Sequence, residues 1–134
     1  MNSNEKRLKH LELIQGVITR MGSNLFTLRG WMITLVVGLS VAFLEVGRNE
    51  LQVILVLVVF IFWVHDAYFL ALERGYRCLY NKVRKLDEDS IDFSMDVSEF
   101  SNLRTTSIWY CMLSKTLAFF YVPTLILIAL ISIF

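Results

Sequence analysis

The chain is short, at 134 residues, yet 56% of it is hydrophobic and its mean hydropathy is +0.58. That is more apolar surface than a soluble domain of this size hides, and the uncharged runs are long. Thirteen basic and twelve acidic residues leave a net charge of +1, which excludes a global field for nucleic acid.

Residues 1–29 predict a cytoplasmic amphipathic helix. Leu11, Ile14, Ile18, Met21, Leu25, Leu28, Met32, Leu35, Leu39 and Ala42 step by three or four, a sustained 3.5-residue seam that runs on into the first apolar stretch. That stretch, residues 30–46, opens with the uncharged run GWMITLVVGLSVAFL and predicts a first transmembrane helix, with Arg29 snorkelling at its edge. It is not a signal peptide, because a long amphipathic helix precedes it, a second span follows closely and no small-x-small site ends it.

Residues 51–72 predict a second transmembrane helix whose ionisable groups are His65 and Asp66. Twelve of the thirteen Lys and Arg residues lie before span one or between spans two and three, and only Arg48 lies in the intervening loop. The positive-inside rule therefore puts the N-terminus in the cytoplasm. If the first two spans form an antiparallel hairpin turning at Gly47, residues of equal depth have numbers summing to about 95, as Leu44 and Leu51 do. Arg29 and Asp66 also sum to 95. Each is about 22 Å from the outer end, inside a hydrocarbon core about 30 Å thick. An unpaired acid there costs up to about 3 kcal/mol on insertion scales, and an Arg29–Asp66 ion pair removes most of that cost. The alternative is a hydrated Asp66 at headgroup level. His65 points about 100° away around the helix and reads as an interfacial histidine, since no chain of ionisable groups leads on from it.

Helix two is expected to run on to about Leu86, extending the hairpin into the cytoplasm. Asp66, Glu73, Arg77 and Arg84 share a stripe, with Glu73 placed four before Arg77 and Arg20 opposite Glu73 by the depth rule. The stripe reads either as a set of charge pairs among Arg20, Glu73 and Arg77 or as a solvated face. Lys82 to Lys85, KVRK, reads as a juxtamembrane cluster meeting anionic lipid.

The next stretch, DEDSIDFSMDVSEF, holds six acids and no base. Ile91, Phe93, Met95 and Val97 alternate with polar residues, which suits a short strand or an extended segment lying on the hairpin. Asp92-x-Ser94-x-Asp96 resembles the start of a calcium loop but lacks the glycine at position six and the glutamate at twelve. Asp87, Glu88, Asp89, Asp92 and Asp96 either cap the basic end of helix two or dock a partner. Asp96 and Glu99 resemble a helix start, so a third helix is expected from about Val97. Residues 73–114 thus comprise the cytoplasmic extension, the acidic loop and the start of helix three. Residues 115–134 form a third transmembrane helix, kinked at Pro123, with the C-terminus periplasmic or external. Trp31, Trp63 and Trp109 fit an inner aromatic belt or interhelix packing.

The fold class is therefore all-α, a three-span membrane protein with an extended antiparallel hairpin. No catalytic motif is present: the chain lacks a P-loop, GxGxxG, HExxH, CxxC and GxSxG. Two histidines cannot build a His-rich metal site, and Cys78 and Cys111 read as plain apolar residues. No enzyme activity, cofactor or nucleic-acid partner is expected.

The segments LKHLELIQGVITRMGSN, Arg29-Gly30-Trp31, HDAYFLALERGYRCLYNKVRK and DFSMDVS together resemble a largely uncharacterised family of small bacterial inner-membrane proteins. The resemblance implies a bacterial inner membrane. By analogy, small helical membrane proteins of this build serve as effectors in phage defence. Membrane lipid and further copies of the chain are the expected partners. Two functions follow. One is a homo-oligomeric pore or membrane-disrupting effector, although no span shows a polar stripe to line a wet pore. The other is a membrane-anchored scaffold or accessory subunit that holds a cytosolic protein through the hairpin and acidic loop.

Overall fold

The computed structural model describes residues 2–47 and 49–133. Arg48, the basic residue assigned to the outer loop, and Phe134, the end of the expected third span, lie outside the described residues. Among the described residues all regular structure is helical. Helix α1 spans Ser3–Val46 (44 residues) and α2 spans Asn49–Val83 (35 residues). At 1.5 Å per residue they are about 65 and 50 Å long. A short helix, α3 at Ile108–Met112, and a third long one, α4 at Lys115–Ile131, follow.

Helix α1 starts where Glu5 reaches back to accept the Asn2 backbone N–H at 2.8 Å, half of a capping box. It ends at Gly47, whose φ of +64° is left-handed and whose N–H donates to the Phe43 carbonyl at 2.8 Å. Glycine takes that conformation at no steric cost, so the chain can reverse there. Helices α1 and α2 then pack antiparallel along most of their length. Two helices are long and apolar enough to cross a membrane, Asn4–Val46 and Asn49–Val83, while Lys115–Ile131 is apolar but shorter.

The buried residues form two clusters. One joins Met32, Leu55, Val59, Ala67, Ala71, Cys111, Leu117, Tyr121 and Ile128, and so ties α4 along α2. The other joins Ile14, Ile18, Leu79 and Val83, with Ile91, Met95, Val97 and Phe100 packed on top. Around the first cluster large side chains face outward on all three long helices, among them Phe26, Ile33, Val37, Val53, Ile61, Val122 and Leu127. Such a contiguous girdle is far beyond the apolar patches that soluble monomers expose.

The seam on α1 follows the expected positions at Ile14, Ile18, Leu25 and Met32, but Leu35 faces out and Val36 turns in instead. A straight helix drifts about 20° per heptad against a 3.5-residue repeat. Over the three heptads from Leu11 that drift reaches about 60°, more than half of the roughly 100° between neighbouring residues, enough to turn Leu35 out and bring Val36 in while Leu39 still packs.

The third helix departs further from expectation. It does not run unbroken from Val97. Single 3-10 turns occupy Glu88–Ser90, Ser98–Phe100 and Arg104–Thr106, then come α3 and α4, with Ser114 capping α4 by accepting from the Leu117 N–H. Asp96 accepts the Ser98 N–H as a helix cap would, but only the single turn Ser98–Phe100 follows. Residues 91–97 carry no regular structure and pair with no strand among the described residues.

Candidate functional site

Arg29 lies on the packed face of α1, four residues after Leu25 and three before Met32. It faces Asp66 on α2, which is fully buried. Arg29 donates through Nε to Asp66 Oδ2 at 2.6 Å and through Nη2 to Oδ1 at 3.0 Å. This two-pronged fork is the strong form of a carboxylate–guanidinium contact. A third residue completes it. The Tyr121 hydroxyl on α4 stands 3.1 Å from Asp66 Oδ2 and 3.2 Å from the Phe62 carbonyl. Tyr121 is itself buried and stacks on Trp63 with ring centroids 5.6 Å apart. The Arg29 guanidinium also sits 5.7 Å from the centre of the Phe120 ring. All three long helices therefore meet at one carboxylate.

The depth rule does not bring the other expected pair together. Glu73 accepts from Arg77 Nε and Nη2 at 2.9 and 2.7 Å on the same helix. Arg20 is exposed and makes no ion pair among the described residues. It stands two residues after Ile18, turned about 200° from the seam, so equal depth does not give equal facing. Arg84 is exposed as well.

The other polar groups along the apolar lengths are satisfied locally. The hydroxyls of Thr34, Ser40, Thr124 and Ser132 each donate to the carbonyl four residues earlier. His65 is exposed and its Nδ1–H donates to the Ile61 carbonyl at 3.1 Å. Trp31 and Trp109 face outward. Trp63 turns inward, where its indole N–H donates to the Met112 carbonyl at 3.1 Å and fastens α3 to α2.

The acidic loop folds back onto its own hairpin. Glu88 lies 3.9 Å from Arg7, and Glu99 accepts from Lys82 at 2.7 Å. Asp92 accepts the Ser94 N–H, Ser94 Oγ accepts the Asp96 N–H, and Asp96 accepts the Ser98 N–H. Each polar residue thus satisfies the amide two positions on, an Asx or Ser turn repeated three times. These bonds replace a strand partner, and Phe93 at φ +56° breaks the extended run besides. The two bonds from Ser98 hold the Asp96 carboxyl below the usual carboxylate range. Asp87, Asp89, Asp92 and Asp96 face solvent. The KVRK cluster is not at the edge of the girdle: α2 runs unbroken to Val83, carrying it about 25 Å beyond Asp66.

Sequence reasoning missed Tyr121 and His10. His10 is buried, donates from Nε2 to the Ser94 carbonyl at 2.9 Å, and packs on Phe93 at 5.5 Å. It lies four residues before Ile14, so the seam itself pointed to it. Tyr121 carried no such signal, because α4 is apolar on every side.

Compared with known protein families, curated proteins and solved structures, the chain matches none.

Proposed function

We propose that the chain is a three-span protein of the bacterial inner membrane that acts as an anchored scaffold, docking a soluble partner on a folded cytoplasmic head. In this reading α4 is the third span, the N-terminus and head lie in the cytoplasm, and the C-terminus lies outside. The observation that carries it is the second core. Ile14, Ile18, Leu79 and Val83, closed over by the loop, give the hairpin a built end beyond the apolar girdle. A simple membrane anchor has no need of one. The outward carboxylates of Asp87, Asp89 and Asp92 give this head an acidic face suited to a basic partner.

The buried ion pair supports the same reading. The charges at depth neutralise one another inside a single protomer and turn away from lipid, as an anchor requires and a water-filled lumen does not. The oligomeric effector reading has one observation of its own. Gly30, Thr34 and Gly38 form an outward stripe of small residues on α1, the kind of surface that lets membrane helices approach closely.

A voltage-sensitive dye in bacteria induced to express the chain separates the two. The scaffold reading expects an unchanged membrane potential with the protein fully inserted. Rapid depolarisation would instead select the pore or membrane-disrupting effector.

A further inference from the structure

Beside the ion pair a cleft of about 450 Å³ opens between α1, α2 and the first turn of α4. Arg29, Arg74 and Arg77 line it, with Glu73 and Thr116. Arg29 is paired with Asp66 and Arg77 with Glu73, so Arg74 leaves the wall with a net charge of +1. Each guanidinium has five N–H donors and no acceptor. Arg29 uses Nε and Nη2 on Asp66, and Arg77 uses the same two atoms on Glu73. Arg74 uses Nη1 on the Thr105 carbonyl and the Cys111 sulfur. Nη1 of Arg29, Nη1 of Arg77 and Nε and Nη2 of Arg74 have no hydrogen-bond acceptor among the described residues, while the Arg74 guanidinium lies 5.7 Å from the centre of the Tyr110 ring. The internal bonds hold the three planes in place while leaving donors for an incoming anion.

Several fixed donors from different helices suit the tetrahedral oxygens of a phosphate. The surroundings say where that phosphate comes from. Phe26 and Phe119, 83% and 85% exposed, are the most outward aromatic residues described. Phe26 lies four residues after Gly22, which also lines the cleft, and three before Arg29, so it shares the cleft's face of α1. Phe119 lies three residues after Thr116 on α4. A basic cleft is thus shouldered by two exposed rings where the apolar girdle begins. We propose that this cleft binds the phosphate-bearing headgroup of an anionic phospholipid, with the acyl chains laid over Phe26 and Phe119. This inference rests on the membrane reading above.

The test is the melting temperature of the purified full-length protein in neutral detergent micelles. It is followed while short-chain phosphatidylglycerol, short-chain phosphatidylcholine or inorganic phosphate is added. The expected result is a saturable rise with phosphatidylglycerol alone. Arg77→Gln should weaken the half-saturation point about tenfold, the loss of one charge-assisted hydrogen bond. Glu73→Gln, which removes the competing carboxylate, should strengthen it; opposite shifts from neighbouring residues cannot both come from a damaged fold. Lys85→Gln, far along α2, should leave it unchanged. An equal response to phosphatidylcholine would overturn the site. Saturation by inorganic phosphate would overturn the lipid assignment, and an equal loss in Lys85→Gln would mean diffuse attraction instead of a cleft. Micelles have no sidedness, so a failure here is distinct from a failure of the proposed topology, which reporter fusions address.

Discussion

Asp66 shows what a single buried acid demands. Its two oxygens receive two donors from Arg29 on α1 and one from Tyr121 on α4. Removing one partner of a buried pair leaves the other charge uncompensated, at a cost of about 3–5 kcal/mol. Arg29→Leu should therefore lower stability by that order in a detergent melt. Tyr121→Phe, which leaves the fork intact, should cost only about 1–2 kcal/mol. The double swap Arg29→Asp with Asp66→Arg should recover folded protein lost in either single change, read as a monodisperse peak on gel filtration. Equal losses in both single melts, or no recovery in the swap, would sink the network as drawn. The pairing of Arg29 with Asp66 was legible in the sequence because a hairpin with one tight turn makes depth a matter of addition. Facing is a separate requirement, which Arg29 meets and Arg20 does not. Tyr121 was illegible because nothing in a uniformly apolar helix marks the side that turns inward.

At the scale of elements, the long helices were readable and the segment after them was not. Helices α1 and α2 are set by periodic apolar positions and a glycine turn, signals that local sequence carries. The stretch from Asp87 to Ser114 is set by side chains bonding to nearby amides and by docking on the hairpin, and alternation alone cannot separate that from a strand. The Asp96 carboxyl is held down by Ser98 in the folded loop. A depressed folded value means its contribution is present above the ordinary aspartate value of about 4 and is lost as pH falls through the folded value. Amide protection across residues 91–98, taken relative to the intrinsic exchange rate at each pH, should therefore hold down to about pH 4 and fall below it. Ser98→Ala, which removes one of the two bonds, should lower that protection above about pH 4 and shrink its fall below; unchanged protection would show that other groups hold the loop.

For the whole molecule, three helices share one buried carboxylate, a girdle of outward apolar side chains surrounds it, and a second core closes the far end of the hairpin. These features make one object when the girdle lies in a bilayer and the second core lies in the cytoplasm. The 17 residues of α4 span about 25 Å, less than the roughly 30 Å of hydrocarbon, so a crossing by α4 draws its flanking residues into the interface. Tyr121 ties α4 to the ion pair, which places it alongside two helices that do have the length. The decisive measurement is a pair of reporters fused to the C-terminus of the full chain in bacteria, a phosphatase active only outside the cytoplasm and a fluorescent protein active only within it. A three-span anchor gives an active phosphatase and a dark fluorescent fusion. A bright fluorescent fusion with an inactive phosphatase would leave two spans and both termini inside, and would contradict the three-span anchor.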